Sequence, residues 1–180
     1  LEVTSGEGVY PDGSFIQHTV MAYNGGYGAN HVYGILRTVD CLIGTSWQVT
    51  NPNVDNIYKW IYTVYEPVMY EGGFMAMVRG RFIANNAVND FGYGMDAVKA
   101  VALATQSAPV SGDRAYFKSL LKKWITNNTY QPMIPNMPIY EMQIAKQIRD
   151  DTAVTPAGPF VKHKRYPRMD RVVHGRPNYT

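Results

Sequence analysis

The chain has 180 residues, of which 17 are Lys or Arg and 14 are Asp or Glu, so its formal net charge is +3. At 17% charged and 46% hydrophobic residues, its composition excludes a disordered polyelectrolyte, and its length suits one domain. No apolar run approaches the roughly 18 residues of a membrane helix. The single cysteine, Cys41, excludes an internal disulfide and a zinc site built on several cysteines.

The N-terminal part of the chain predicts loops followed by one amphipathic helix. Residues 1–27 are rich in Gly and other turn formers, and such loops often carry functional side chains on a rigid scaffold. From Asn30 to Ile43, apolar residues recur at helical spacing, and Gly44 is a plausible stop. Because Cys41 falls within this apolar pattern, we predict a buried, unreactive thiol.

Four further helices are predicted by the same spacing, over residues 54–68, 92–105, 111–125 and 139–150. Pro67 bends or ends the first of them, and residues 71–73 form a turn. No convincing period-two strand occurs before residue 159. The first 150 residues are therefore predicted to be all-α and arranged as helix hairpins, and the proline-rich tail after residue 158 could begin a β region.

The charge is concentrated near the C-terminus. Residues 162–176 contain six Lys or Arg and one acidic residue, Asp170. A nucleic-acid-binding arm is one interpretation of such a run. The other is a solvated connector, or a strip that pairs with acidic groups elsewhere, and we favour this one because aromatic, apolar and proline residues interrupt the charges. We therefore predict neither a nucleic-acid nor a membrane partner.

The common catalytic motifs are missing from the sequence. The four histidines, His18, His31, His163 and His174, show no metal-binding spacing of three or four residues. Neither a phosphate-binding glycine loop nor a Gly-x-Ser-x-Gly elbow is present. The sequence therefore predicts no metal site.

Two clusters remain that could carry chemistry. Asp12–His18 and Tyr23–Gly28 place an imidazole and a phenol around a glycine turn, and Arg79 and Arg81 flank a glycine. Taken singly, the first cluster also fits a turn with a packed His and Tyr, and the second also fits two surface arginines. Taken together, they suggest proton transfer by a tyrosine, because a phenol has a pKa of about 10 and nearby positive charge favours the phenolate. The arginines could also hold an anionic substrate.

These segments resemble family 8 polysaccharide lyases, which include hyaluronate, chondroitin AC and xanthan lyases. Tyr10–Gly28 is similar to the family's active-site segment, with an Asp-Gly-Ser-aromatic-x-x-His stretch at Asp12–His18 and a Tyr-x-Gly-x-Tyr-Gly stretch at Tyr23–Gly28. Met77–Asn86 resembles the family's Arg-Gly-Arg segment. Tyr166–Tyr179 resembles the segment that leads from the helical domain into a β-sandwich domain. The three motifs occur in the family's order.

The resemblance implies a reaction and roles for six residues. The reaction is β-elimination from an acidic, uronate-containing polysaccharide, which leaves an unsaturated uronosyl end. The catalytic residues are Tyr27, as general base and then general acid, His18, which assists at the C5 position in its neutral form, and Arg81, which holds charge near the tyrosine. The implied substrate-binding residues are Arg79, Asn85 and Tyr23. Such a mechanism requires no cofactor and no metal.

The resemblance also implies a domain organisation. Residues 1–158 would be the C-terminal half of an incomplete (α/α) toroid, and residues 159–180 would connect to a β-sandwich domain. The partners would be the acidic polysaccharide and the remainder of the same enzyme, namely an upstream helical segment and downstream β domains. We expect a secreted, extracellular enzyme. We also expect the segment alone to be inactive and to expose apolar helix faces that include Leu120 and Trp124.

Two departures from the family pattern affect the substrate. The family neutralises the uronate carboxylate mainly with an asparagine beside an aromatic patch, and we expect that segment upstream of this chain. The family commonly has a further arginine four residues after the one matching Arg81, where this chain has Asn85. This leaves open which polymer is preferred. The alternative function is a non-catalytic glycan-binding helical domain that has kept the cleft and lost the chemistry.

Overall fold

A computed structural model describes residues 2–177 and residue 179. Asn178, which belongs to the third family-like segment, lies outside the described residues, as do Leu1 and Thr180. Helices dominate the described residues, in agreement with the prediction. The α-helices are α1 (Ala29–Leu42), α2 (Asp55–Trp60), α3 (Asp90–Ser107), α4 (Ser111–Asn127) and α5 (Ile139–Asp150).

Helix α3 is the centre of the fold, because α1, α4 and α5 all pack against it. Its residues from Ala100 to Thr105 are buried on every side, which explains why small alanines alternate there with larger apolar residues. The expectation that Leu120 and Trp124 are exposed in this segment is wrong. Both are at most 2% exposed, because α4 packs against α3 and both side chains belong to the common core.

Helix α1 confirms the predicted helix but not the predicted thiol. Val32, Leu36 and Val39 point into the core, whereas Cys41 is exposed. Cys41 comes two positions after Val39, and two positions turn an α-helix by about 200°, so the sulfur lies on the opposite face. Cys41 is therefore a surface cysteine.

The predicted helix over residues 54–68 is present, with a change of hydrogen bonding halfway along. α2 continues into a wider turn over Ile61–Tyr65, in which the backbone N–H of Glu66 donates to the carbonyl of Ile61, five residues back. A tighter turn over Glu66–Val68 contains Pro67 and ends the helix. Wide turns of this kind are often found near functional sites.

The expectation that no strand precedes residue 159 is wrong. Three short antiparallel strands, β1 (Gly8–Val9), β2 (Phe15–Gln17) and β3 (Met21–Ala22), form a sheet in the order β1-β2-β3. A hairpin of β4 (Met69–Tyr70) and β5 (Gly73–Phe74) follows α2. Both of its turn residues, Glu71 and Gly72, have positive φ, which is typical of a two-residue β-hairpin loop. With two or three residues each, these strands are too short to show alternation in the sequence.

The C-terminal tail forms a hairpin of β6 (His163–Tyr166) and β7 (Arg171–His174), in agreement with the expected β character. Tyr166, Met169 and Val173 are buried in the same core as the helices. The hairpin therefore packs onto the helical body, while the division at residue 158 and the toroid and β-sandwich architectures remain predictions. Within the described residues, no helix combines the length and apolarity needed to cross a bilayer.

Candidate active site

The turn before α1 is organised by the buried side chain of Asn24. Its Oδ1 accepts a hydrogen bond from the N–H of Phe15 at 3.0 Å. Its Nδ2 donates to the carbonyls of Gly13 at 2.9 Å and Val64 at 3.3 Å. One amide thus joins the Asp-Gly-Ser segment, the turn Tyr23–Gly28 and the wide turn after α2. Sequence reasoning did not single out Asn24, since an Asn beside two glycines also fits an ordinary turn.

The turn presents Tyr23 and Tyr27 next to one another. Gly25 and Gly26 lie between the two tyrosines and have non-helical dihedral angles, so the backbone is kinked there and Tyr27 comes after the kink, directly before α1. The two rings lie 5.1 Å apart between centroids. Tyr23 is fully buried, whereas Tyr27 is partly exposed. Of the two phenols, Tyr27 is therefore the one that a substrate can reach.

His18 lies on the exposed side of the same two rings. Its ring centroid is 5.7 Å from that of Tyr27 and 5.7 Å from that of Tyr23, in edge-to-face arrangements. The backbone of His18 and Thr19 is left-handed, with φ of 50° and 72°. A β-branched residue rarely adopts this conformation, and such outliers concentrate at functional sites. The unusual backbone gives the imidazole its position beside Tyr27.

Arg81 reaches the tyrosine pair through both its backbone and its side chain. Its backbone N–H donates to the hydroxyl of Tyr23 at 3.1 Å, and its Nη2 donates to the hydroxyl of Tyr27 at 2.9 Å. The side chain is exposed, so solvent screens part of its charge. The predicted catalytic residues His18, Tyr27 and Arg81 are therefore brought together in one place, while their catalytic roles remain predictions.

Arg79 occupies a different environment from Arg81. It is only 8% exposed, and its Nη2 forms an ion pair with Asp90 Oδ1 at 2.9 Å. Its guanidinium carbon lies 5.2 Å from the centroid of the Tyr93 ring. These contacts commit most of the side chain to the protein, and they hold the start of α3 against the Arg-Gly-Arg segment. Substrate binding by Arg79 remains a prediction.

Asn85 is exposed near the same tyrosine of α3. Its Nδ2 donates to the hydroxyl of Tyr93 at 2.8 Å, and its Oδ1 accepts from the N–H of Ala87 at 3.0 Å. The Arg79 side chain also contacts Tyr93, so Tyr93 connects two of the three predicted substrate-binding residues. Sequence reasoning placed Tyr93 only within a helix, because the loop that brings Asn85 to it has no periodic signal.

Phe82 is the aromatic residue that fills the space between these groups. Its ring lies 5.3 Å from Tyr23, 5.1 Å from Tyr27 and 5.2 Å from Tyr93, stacking on the last at an interplanar angle of 15°. The site is thus a continuous aromatic layer that extends from His18 to Tyr93. A single Phe after an Arg-Gly-Arg segment carries no sequence signal for this role.

Across residues 2–177 and 179, no group of three or more His, Cys, Asp or Glu side chains is placed to hold a metal ion. The absence of a cofactor requirement remains a prediction from the mechanism.

The chain matches a known protein family over most of its length. Residues 2–123 match the model of the polysaccharide lyase family 8 N-terminal alpha-helical domain. The chain belongs to polysaccharide lyase family 8. The matched residues include the His18 loop, the tyrosine turn and the Arg-Gly-Arg segment, and they exclude the β6–β7 hairpin.

Curated members of the lyase family cover nearly the whole chain. A xanthan lyase of Bacillus sp. (strain GL1) is 37% identical over 177 residues, which are 98% of this chain and 19% of the relative. A hyaluronate lyase of Thermasporomyces composti is 29% identical over 181 residues, which are 99% of this chain and 23% of the relative. The chain therefore spans about a fifth of the length of these curated lyases.

Solved structures of a xanthan lyase and of a chondroitin AC lyase are similar to this chain in fold. The structure of Paenibacillus xanthan lyase matches with a TM-score of 0.93 and 40% identity, covering 98% of this chain and 17% of that one. The Streptomyces coelicolor A3 chondroitin AC lyase, solved in complex with chondroitin sulphate, matches with a TM-score of 0.88 and 30% identity. The match covers 97% of this chain and 25% of that one. Since this coverage includes residues beyond 123, the similarity to family 8 lyases extends into the tail.

Proposed function

We propose that the protein containing this chain cleaves an acidic, uronate-containing polysaccharide by β-elimination at the site around Tyr27. The observation that carries the proposal is the 2.9 Å hydrogen bond from Arg81 to the Tyr27 hydroxyl, with the ring of His18 against the same tyrosine. A guanidinium that donates to a phenolic oxygen favours negative charge on that oxygen. Membership of polysaccharide lyase family 8 supports the same reaction.

In the proposed reaction, the Tyr27 phenolate removes the C5 proton of the uronate. The electron pair left on C5 forms the C4–C5 double bond as the C4–O bond breaks. The departing oxygen keeps the bonding pair and receives the proton from Tyr27, which regenerates the phenolate. Because one phenol serves both steps, the C5 proton and the departing oxygen must lie on the same side of the sugar ring.

His18 and Arg81 support the two proton transfers. His18, in its neutral form, faces the same position of the sugar as Tyr27 and assists at C5. Arg81 holds the negative charge that resides on the phenol at one stage and on the substrate at the next. The uronate carboxylate must also be neutralised to make the C5 proton acidic, and we expect an asparagine from an upstream segment to do this. The reaction then needs no metal.

The experiment uses the full-length protein with hyaluronan, chondroitin sulfate and xanthan as separate substrates. Elimination creates a C=C bond conjugated to a carboxylate, so new ultraviolet absorbance measures the reaction directly. A polymer that binds without any new absorbance would favour the non-catalytic glycan-binding alternative. Since these polymers are extracellular, we further propose that the protein is secreted, and detecting it in culture medium rather than in cells tests this.

A further inference from the structure

A groove of about 490 Å³ connects the candidate active site with the turn of the β6–β7 hairpin. Arg81 lines the groove on the side of the site, and Arg168 and Arg171 line it on the side of the hairpin. The guanidinium that donates to Tyr27 therefore shares one groove with two guanidiniums from the basic segment. Asp170 is the acidic residue among the lining residues, so the lining carries an excess of positive charge.

The two hairpin arginines are held in place by the body of the protein. The backbone N–H of Arg168 donates to Asp12 Oδ2 at 2.9 Å, and its guanidinium carbon lies 4.8 Å from the centroid of the Tyr10 ring. The Nε of Arg171 donates to the carbonyl of Met77 at 3.2 Å. A guanidinium has five N–H donors, so these contacts position each side chain without using all of its donors.

Apolar side chains complete the groove in a way that suits a sugar polymer. Val20, Met21 and Ile83 line it and are exposed, Ile83 to 59%. Sugar rings present apolar C–H faces beside their charged groups, so a groove of arginines and exposed apolar residues matches an acidic polysaccharide. Nucleic-acid binding requires a series of phosphate contacts, and an interrupting carboxylate such as Asp170 disfavours that alternative.

We propose that Arg168 and Arg171 form an anion-binding subsite that holds a carboxylate or sulfate group of the polysaccharide beyond the sugar unit that is cleaved. This inference rests on the proposed function. It gives the basic segment of residues 162–176 a role: part of its charge faces the substrate groove, whereas Lys162, Arg165 and Arg176 are exposed elsewhere and Lys164 packs over the Tyr166 ring.

The first test compares a variant that lacks a charge inside the groove with a variant that lacks a charge outside it. In the full-length protein, Arg171→Gln removes a charge that lines the groove. Arg165→Gln removes the same charge from β6 of the same hairpin, where the side chain is exposed and is not among the groove-lining residues. We expect Arg171→Gln to raise the KM for the cleaved polymer about fivefold, the ratio that corresponds to one partly exposed charge contact. Arg165→Gln should change it less than twofold.

A second pair of variants tests the groove without changing Arg171, so the inference stays testable if Arg171→Gln does not fold. Ile83→Glu places a negative charge in the groove at an exposed position, and Ile139→Glu places the same charge at an exposed position at the start of α5. Ile83→Glu should raise the KM, whereas Ile139→Glu should not. For both groove variants, the deficit on a disaccharide should be smaller than on the polymer, because a substrate that contains only the two sugars of the cleaved bond has no further unit to place in the subsite.

The outcomes separate this inference from the proposed function. If the wild-type protein produces no unsaturated product, the proposed function fails, and the affinities of wild type and Arg171→Gln for the same polymers then test the subsite. If wild type cleaves but Arg171→Gln and Arg165→Gln behave alike, the subsite is wrong. Equal deficits on the disaccharide and on the polymer would also overturn it.

Discussion

Gly80 lies against the ring of Tyr23 so closely that a Cβ atom at this position would overlap the ring. Its φ is +52°, a conformation that residues with side chains rarely adopt. The next residue, Arg81, donates its backbone N–H to the hydroxyl of the same tyrosine at 3.1 Å. The glycine therefore allows the Arg-Gly-Arg segment to approach the tyrosine pair and to place the Arg81 side chain at Tyr27.

Replacement of Gly80 should displace Arg81 from Tyr27 and so lower the activity. We expect Gly80→Ala to reduce kcat at least tenfold, because Arg81 must move away from Tyr27, and to lower stability by about 1–3 kcal/mol. Gly112→Ala is the matched control, since Gly112 lies in α4 with open space around it and an alanine there favours the helix. Kinetics and thermal unfolding of both variants measure the difference. Wild-type kcat in Gly80→Ala would contradict this account of the contact.

Tyr27→Phe should remove nearly all turnover while substrate binding stays close to that of wild type. The ring and its contacts with Phe82 are retained, and only the proton carrier is lost. Steady-state kinetics and a separate binding measurement distinguish the two effects. Tyr140→Phe, on the exposed side of α5, serves as the control. A variant that keeps more than about a tenth of the wild-type kcat would show that Tyr27 does not transfer the proton.

Arg81→Ala should weaken substrate binding and lower the rate together, because the same guanidinium faces the polymer and the Tyr27 hydroxyl. The binding deficit should shrink as salt concentration rises, since this exposed side chain is already screened in part. KM and kcat at several salt concentrations provide the measurement, with the exposed Arg37→Ala on α1 as the control. Unchanged kinetic constants would place Arg81 outside the functional site.

Asn85→Arg should change the preference among acidic polymers without abolishing turnover. The substitution adds a charge and a fork of donors at an exposed position, and it removes the hydrogen bond from Asn85 to Tyr93 without touching Tyr27 or His18. Relative rates on hyaluronan, chondroitin sulfate and xanthan test this prediction. Identical ratios for wild type and variant would mean that position 85 does not face the substrate.

Stability should fall at alkaline pH because several tyrosines are buried. Burial raises the pKa of Tyr65 above its usual value of about 10, and its hydroxyl donates to the carbonyl of Gly28 at 2.7 Å. The raised pKa contributes stability that is present below pH 10 and is lost as the pH rises above it, since the unfolded phenol ionises first. Burial raises the pKa of Tyr166 in the same direction.

Tyr65→Phe should therefore flatten the loss of stability above pH 10. At neutral pH the variant should be less stable by about 1 kcal/mol, because the Gly28 carbonyl loses its partner. Thermal unfolding of the full-length protein between pH 8 and pH 11 measures both effects, and the exposed Tyr130→Phe is the control. Parallel pH curves for wild type and Tyr65→Phe would contradict the assignment.

The helices could be predicted because apolar residues recur in the sequence at helical spacing. The predicted α5 over residues 139–150 has the observed bounds, and the predicted α3 and α4 differ from the observed helices by at most two residues at each end. The strands of three and two residues at Phe15 and Phe74 were missed, because pairing over such a short length is decided by neighbouring packing. The failed predictions for Cys41 and Trp124 concern which side of a helix is covered, and spacing alone does not determine that.

Sequence alone identified the residues of the candidate site that have reactive functional groups, and it missed those that act through packing or backbone contacts. His18, Tyr27 and Arg81 could be selected because their side chains have functional groups in suggestive patterns. Phe82 could not be selected, because it acts through packing. Asn24 could not either, because its value comes from being fully buried among three backbone groups that lie as far as 40 residues away.

The hydrogen bond between Asp12 and Arg168 has a consequence for the order in which this site is assembled. It joins residues 156 positions apart, so the Asp-Gly-Ser segment gains this partner only when the hairpin has been synthesised and has docked. Closing so long a loop costs entropy, and such contacts form late in folding compared with helix hairpins. A nascent chain that ends before residue 166 should already contain its helices, while the loop that carries His18 still lacks one of its attachments. The loop that carries His18 would then be fully attached only after the hairpin has docked.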